Sequence, residues 1–127
     1  MIKEFRFENA PETNAHYSPG IIGNNTVYIS GQLPVDPITR KKCSGDIKAQ
    51  AAQVFQNIED ILKQVGADKS RIVKTTAYIP DMSLWNDLNE AYTEFFGYYK
   101  PARSIIAVSQ IHFDFLIEIE AIALLNE

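Results

Sequence analysis

The 127-residue chain predicts an α+β fold in which a mostly single sheet is packed by two helices on one face. Three observations predict it. Hydrophobic spacing changes between a period of two and a period of 3.6 in the order β-β-β-α-β-α-β-β. Just two stretches carry the apolar stripe of an amphipathic helix. Two helices side by side cover about 20 Å, whereas six strands span about 29 Å, so the helices cover one face at most. The other face must also escape water, and self-association is the economical way to do so. Val27, Ile29, Ile106 and Val108 are candidates for that face on one strand parity or the other.

The elements follow in order. Ile2 to Phe7 alternates like an opening strand. Gly20-Ile21-Ile22 and Thr26 to Ser30 flank Gly23-Asn24-Asn25, a turn of residues tolerant of positive φ, and read as a hairpin. Pro34 to Ser44 is a loop punctuated by Pro34, Pro37 and Gly45. Asp46 to Val65 is a helix: Ile47, Ala51, Val54, Phe55, Ile58, Ile61, Leu62 and Val65 recur at three-four spacing. Asp46 suits its N-terminus and Gly66 its C-terminal cap. Arg71 to Ile79 is a β-branched strand ending at Pro80, and a second helix runs from about Ser83 to Gly97. Two further strands complete a single domain spanning 1–127.

Composition narrows the functional classes. Apolar residues make up 46% of the chain, enough for a packed core, and none of the apolar runs approaches a membrane span of about 18 residues. The alternating N-terminus lacks the apolar core of a signal peptide, and a single cysteine, Cys43, agrees with a reducing cytoplasm. A net charge of −4 argues against nucleic acid as the main partner, with Arg40-Lys41-Lys42 the one basic run. His16 and His112 lie far apart, and no zinc-ligand spacing, serine elbow or phosphate-cradling glycine loop is present, so neither metal nor cofactor is expected.

The chemistry concentrates in the last two strands. Pro101-Ala102-Arg103-Ser104-Ile105-Ile106 opens one on an arginine, and Ile117-Glu118-Ile119-Glu120-Ala121-Ile122-Ala123 carries two glutamates in the other. Period-two geometry puts Glu118 and Glu120 on one face with Leu116 and Ile122. An arginine that forks onto carboxylates, near a partly desolvated glutamate, is a workable site for a small acid. From the residues alone, a cross-strand ion pair between Arg103 and Glu118 is the commoner arrangement, and a structural role for Glu120 likewise.

The string as a whole is similar to the C-terminal motif of the RidA/YjgF family of enamine/imine deaminases. The resemblance extends to Tyr17-Ser18, Tyr28 to Pro34, Ile72 to Thr76 and Asn89 to Phe96, in the family's order and over nearly the full length. It implies a chorismate-mutase-like subunit and a homotrimer around a central β-barrel, with clefts between neighbours. It also implies hydrolysis of 2-iminobutanoate, 2-iminopropanoate and related enamines or imines released by pyridoxal-phosphate enzymes, giving 2-keto acids and ammonia. Carried over by position, Arg103 binds the substrate carboxylate and Glu118 activates water. The Ile105 carbonyl accepts a hydrogen bond from the imine or the water. Tyr17 of an adjacent subunit closes the pocket, and Ser30, Gly31 and Asn89 line it. Some relatives have been described as ribonucleases, a reading the acidic balance disfavours. The alternative is a non-catalytic trimer that senses 2-keto acids, for which Arg103 suffices and Glu118 does not matter.

Departures from the family pattern concern the rim. Ala15-His16 replaces Gly-Pro, Ile105 stands where many members have cysteine, and Ile111-His112-Phe113 replaces a Leu-Pro loop, with Phe115 adding bulk. If His16 or His112 enters the cleft, the preferred imine side chain changes.

Overall fold

The computed structural model describes residues 1–125. Six strands form one sheet: β1 (Lys3–Phe5), β2 (Gly20–Gly23), β3 (Thr26–Gln32), β4 (Ile72–Ile79), β5 (Ala102–Ala107) and β6 (Glu118–Leu124). Helices α1 (Ile47–Gln64) and α2 (Trp85–Phe96) follow β3 and β4. The strand order is β1-β2-β3-β6-β4-β5. All pairs are antiparallel except β4 with β5, which the α2 crossover joins in parallel. The last strand therefore inserts between β3 and β4, and β5 becomes an edge.

Local chemistry explains the boundaries. Asn24 and Asn25, both with positive φ, make the tight turn between β2 and β3. The Asp46 carboxylate accepts from the Ala49 N–H at 2.9 Å and caps α1. At the other end, the Ala67 N–H reaches the Leu62 carbonyl at 2.8 Å, a return that Gly66 permits at φ +81°. Helix α2 starts later than expected, at Trp85. Asp81 instead caps a single 3₁₀ turn, Met82–Leu84, that leads into it.

The apolar faces of α1 and α2 pack on one side of the sheet. Ile58, Ile61, Leu62 and Leu88 meet Ala77, Ile79, Ile117 and Ile119 there, all fully buried. Each large side chain so buried contributes about 1.5–3 kcal/mol. Val27 and Ile29 also lie under the helices, so they do not belong to the uncovered face. That face carries Tyr28, 51% exposed, and Ile106, 43% exposed, together with Tyr78 and Glu120. Leu116 lies ahead of β6 and packs toward the core, rather than sharing a face with Glu118. Buried Asn57 of α1 donates to the carbonyls of Leu33 and Val35 at 3.2 and 2.9 Å, pinning the 33–43 loop to the helix. Among the described residues, no helix is long and apolar enough to cross a membrane.

Candidate active site

The chemistry-bearing residues form two clusters at different places on the sheet. The first sits on β5. Thr75 of β4 lies beside Arg103, whose side chain turns to the helix side and lies against α2. Its Nη1 donates to Asn89 Oδ1 at 3.0 Å. The guanidinium carbon lies 4.7 Å from the Tyr92 ring centroid and 5.4 Å from that of Trp85. Tyr92 is itself fixed by a buried 2.8 Å hydrogen bond to Thr75 Oγ1, and burial pushes its phenol pKa up, so the ring beside the cation stays neutral. Among the described residues no carboxylate lies within 4.0 Å of Arg103. Its charge is met by an amide oxygen and two aromatic rings, which orient it without neutralising it.

The Ile105 carbonyl belongs to the same cluster. The Val108 N–H donates to the Ile79 carbonyl at 2.9 Å, so residue 108 directs its backbone groups toward β4. Alternation along the strand then turns the groups of residues 106 and 104 toward β4 and those of Ile105 and Arg103 to the open edge. Replacing Asn89 by leucine removes the one hydrogen-bond partner of that guanidinium among the described residues. A bond to a charged group contributes about 1.5–3 kcal/mol, so 2-keto acid affinity is expected to fall about tenfold, measurable by titration calorimetry.

The second cluster is built on a bulge. Pairing of β3 with β6 shifts between Ile29 and Gln32, leaving Ser30 and Gly31 out of register opposite the start of β6. Glu118 lies directly over Gly31. A methyl group there would overlap its carboxylate and stand 3.0 Å from Cδ and 3.2 Å from Cγ. Only glycine leaves that space. Ser30 Oγ donates to the Ser18 carbonyl at 2.6 Å, and the Ser30 N–H donates to the Pro19 carbonyl at 2.9 Å. These bonds tie the segment carrying Tyr17, whose side chain is 60% exposed, to the bulge. Ser30 thus spends its hydroxyl on holding that segment.

Glu118 is half-buried, and its pKa is raised. Burial is the main cause and the like charge of Glu120 the second, while His112 works in the opposite direction. Glu120 accepts from the Tyr78 hydroxyl at 2.8 Å, in keeping with a structural role. Gly31→Ala is expected to lower turnover by about 10²-fold, because the carboxylate must swing away. Its melting temperature should change little, since a flexible side-chain end gives way rather than backbone. Parallel kinetic and thermal measurements check both halves of that expectation.

The structure does not pair Arg103 with Glu118. Two strand spacings, about 10 Å, and three residues, about 10 Å, separate them, and they project from opposite faces. The cross-strand ion pair expected from the residues alone is therefore absent. The cause is β4, which runs between the two C-terminal strands. One chain holds Arg103, Ile105 and Asn89 together, and separately Glu118, Gly31, Ser30 and Tyr17. At helical spacing Trp85 and Tyr92 read from the sequence as core or subunit contacts, and their packing on Arg103 is not foreseen there. Their spacing with Asn89, i, i+4 and i+7 on one helix face, is the signal that was available.

The fold and these two clusters define an α+β protein of the chorismate-mutase-like type, with one mixed sheet and both helices on the same side. Residues 7–125 match the family model described as Endoribonuclease L-PSP. The chain is 46% identical over 123 residues to a RutC family protein of Pyrococcus horikoshii, covering 96% of this chain and 98% of that one. It is 36% identical over 115 residues to the human 2-iminobutanoate/2-iminopropanoate deaminase, covering 91% and 84% of the two. The crystal structure of yeast Mmf1 superposes with a TM-score of 0.91 at 34% identity, covering 99% of this chain and 100% of that one. The chain belongs to the RidA/YjgF family.

Proposed function

We propose that the chain is an enamine/imine deaminase that hydrolyses 2-imino acids such as 2-iminobutanoate and 2-iminopropanoate to 2-keto acids and ammonia. In this reading it acts as a homotrimer in which the Arg103 cluster of one subunit faces the Glu118 cluster of the next. The observation that carries it is an arginine held at a sheet edge by Asn89 and two aromatic rings with no carboxylate partner among the described residues, in a chain whose partly desolvated glutamate lies elsewhere. The names of the human and plant relatives, the latter a Reactive Intermediate Deaminase A of Arabidopsis thaliana, support the reaction class.

The steps follow from the residues. Arg103 takes the substrate carboxylate in a forked pair of charge-assisted hydrogen bonds. The Ile105 carbonyl accepts from the imine N–H or the water. Glu118 draws a proton from that water as its oxygen adds to the imine carbon, giving a carbinolamine. Glu118 hands that proton to the nitrogen, then takes the carbinolamine hydroxyl proton and passes it to the same nitrogen, so that the C–N bond breaks and ammonia leaves as the C=O forms. Tyr17, tied to the Glu118 cluster, closes the opening. A raised Glu118 pKa suits a group that must take and return a proton. Because imines hydrolyse unaided in water, one acid/base and good positioning supply enough acceleration.

The test is ammonia release from 2-iminobutanoate generated in situ by an amino-acid oxidase. Faster release with the wild-type chain, proportional to its concentration, supports the deaminase. Unchanged release across several 2-imino acids contradicts it.

A further inference from the structure

Two loops rise beside Glu118, and their contact is not used by the proposed chemistry. The loop after β3 and the loop before β6 leave neighbouring strands at the same end of the sheet, next to the Gly31 bulge that supports Glu118. They meet where Lys42 Nζ sits 3.8 Å from the Phe113 ring centroid. The His112 ring lies 3.8 Å from the same centroid. The Phe113 ring thus brings the ammonium and the imidazole together. This rim presents outward an ammonium, an imidazole and the adjacent Arg40 and Lys41, all exposed, beside one carboxylate, the exposed Asp114, in a chain of net charge −4.

The rim is held at a conformational cost. Phe113 has φ +61° and Asp114 φ +58°, a left-handed pair that a bulky side chain rarely adopts. Such strain persists where surroundings impose it and gathers at ligand sites. Here Ile111 and Phe115 are buried on either side, and the Leu116 N–H donates to Gln50 Oε1 at 2.8 Å. The Asp114 carboxylate accepts from the Gln110 amide at 2.7 Å. The strained turn sets His112 where its charge acts on Glu118 and brings Phe113 out, 53% exposed, to hold it against Lys42.

We infer that Lys42 and His112, held by Phe113, form a side-chain subsite for a second carboxylate, so that the preferred ligands are dicarboxylic 2-imino acids and the matching 2-keto acids. This rests on the reading of Arg103 as the site of the first carboxylate.

Calorimetric titration of the purified protein with 2-oxoglutarate and with 2-oxobutanoate tests the subsite independently of turnover. The expected result is at least about tenfold tighter binding of 2-oxoglutarate, a preference that shrinks with added salt. Lys42→Met and His112→Asn are each expected to bring the ratio of the two affinities close to one. Equal affinities in the wild type, or a ratio unmoved by both substitutions, overturn the subsite. If 2-iminobutanoate is still hydrolysed in that case, the deaminase reading survives without it. Binding of neither keto acid sinks both the subsite and the Arg103 site on which it rests.

Discussion

Arg103→Ala is expected to abolish measurable 2-keto acid binding and lower kcat/KM for imine hydrolysis by about 10²-fold or more. Each charge-assisted bond contributes about 1.5–3 kcal/mol, and a forked pair is lost together. Folding should be retained, because among the described residues the guanidinium has no carboxylate partner to strand and meets one amide oxygen and two aromatic rings. Arg103→Lys separates charge from geometry: an ammonium keeps the charge but cannot fork onto a carboxylate, so most of the loss should persist. Calorimetric titration, initial rates and sedimentation of the variants together provide the check. An Arg103→Ala protein that binds normally, or that no longer assembles, points to a structural arginine.

Glu118→Gln has the second large effect, and its sign differs between activity and stability. Turnover should fall by about 10²–10⁴-fold, the range of a positioned acid/base, while 2-keto acid binding stays largely intact. That split distinguishes a deaminase from a non-catalytic sensor, since both need Arg103 and just one needs Glu118. Burial and Glu120 raise the folded-state pKa above the ordinary carboxylate value. Between those two values the folded state holds more protons than the unfolded one, so stability falls as pH rises through the window. Above it the charged carboxylate is a standing penalty. Glu118→Gln should therefore melt at a higher temperature than wild type at pH 7, with the difference vanishing below about pH 4. A pH series of melting curves checks this, and a lower melting temperature at pH 7 contradicts the assigned cause.

Much of the fold was legible because it is local. The three-four spacing from Ile47 to Leu62, with Asp46 and Gly66 at its ends, dictates α1 almost to the residue. Asn24-Asn25 dictates the hairpin turn. The widths of two helices and six strands exposed the uncovered face, but strand parity cannot say which side the helices take. Val27 and Ile29 consequently remained ambiguous until the sheet was seen. The insertion of β6 between β3 and β4 is a long-range pairing with no local signature, and it is what parts Arg103 from Glu118. Gly31 is a candidate in the sequence through the family motif alone, while the space it leaves for the Glu118 carboxylate is visible just in three dimensions. The same holds for His112, whose approach to Glu118 depends on a strained turn that no periodicity encodes.

The central claim is that a complete site needs two subunits, one contributing Arg103 and the other Glu118. Subunit complementation tests it most directly: Arg103→Ala and Glu118→Gln chains are unfolded, mixed in equal amounts, refolded together and assayed for imine hydrolysis. With shared sites in a randomly mixed trimer, roughly a quarter of the clefts regain both intact residues, so roughly a quarter of wild-type activity returns although each variant alone is inactive. If both residues act within one chain, every cleft keeps a lesion. A mixture as inactive as its parents, with mixed trimers shown to form, would contradict the account.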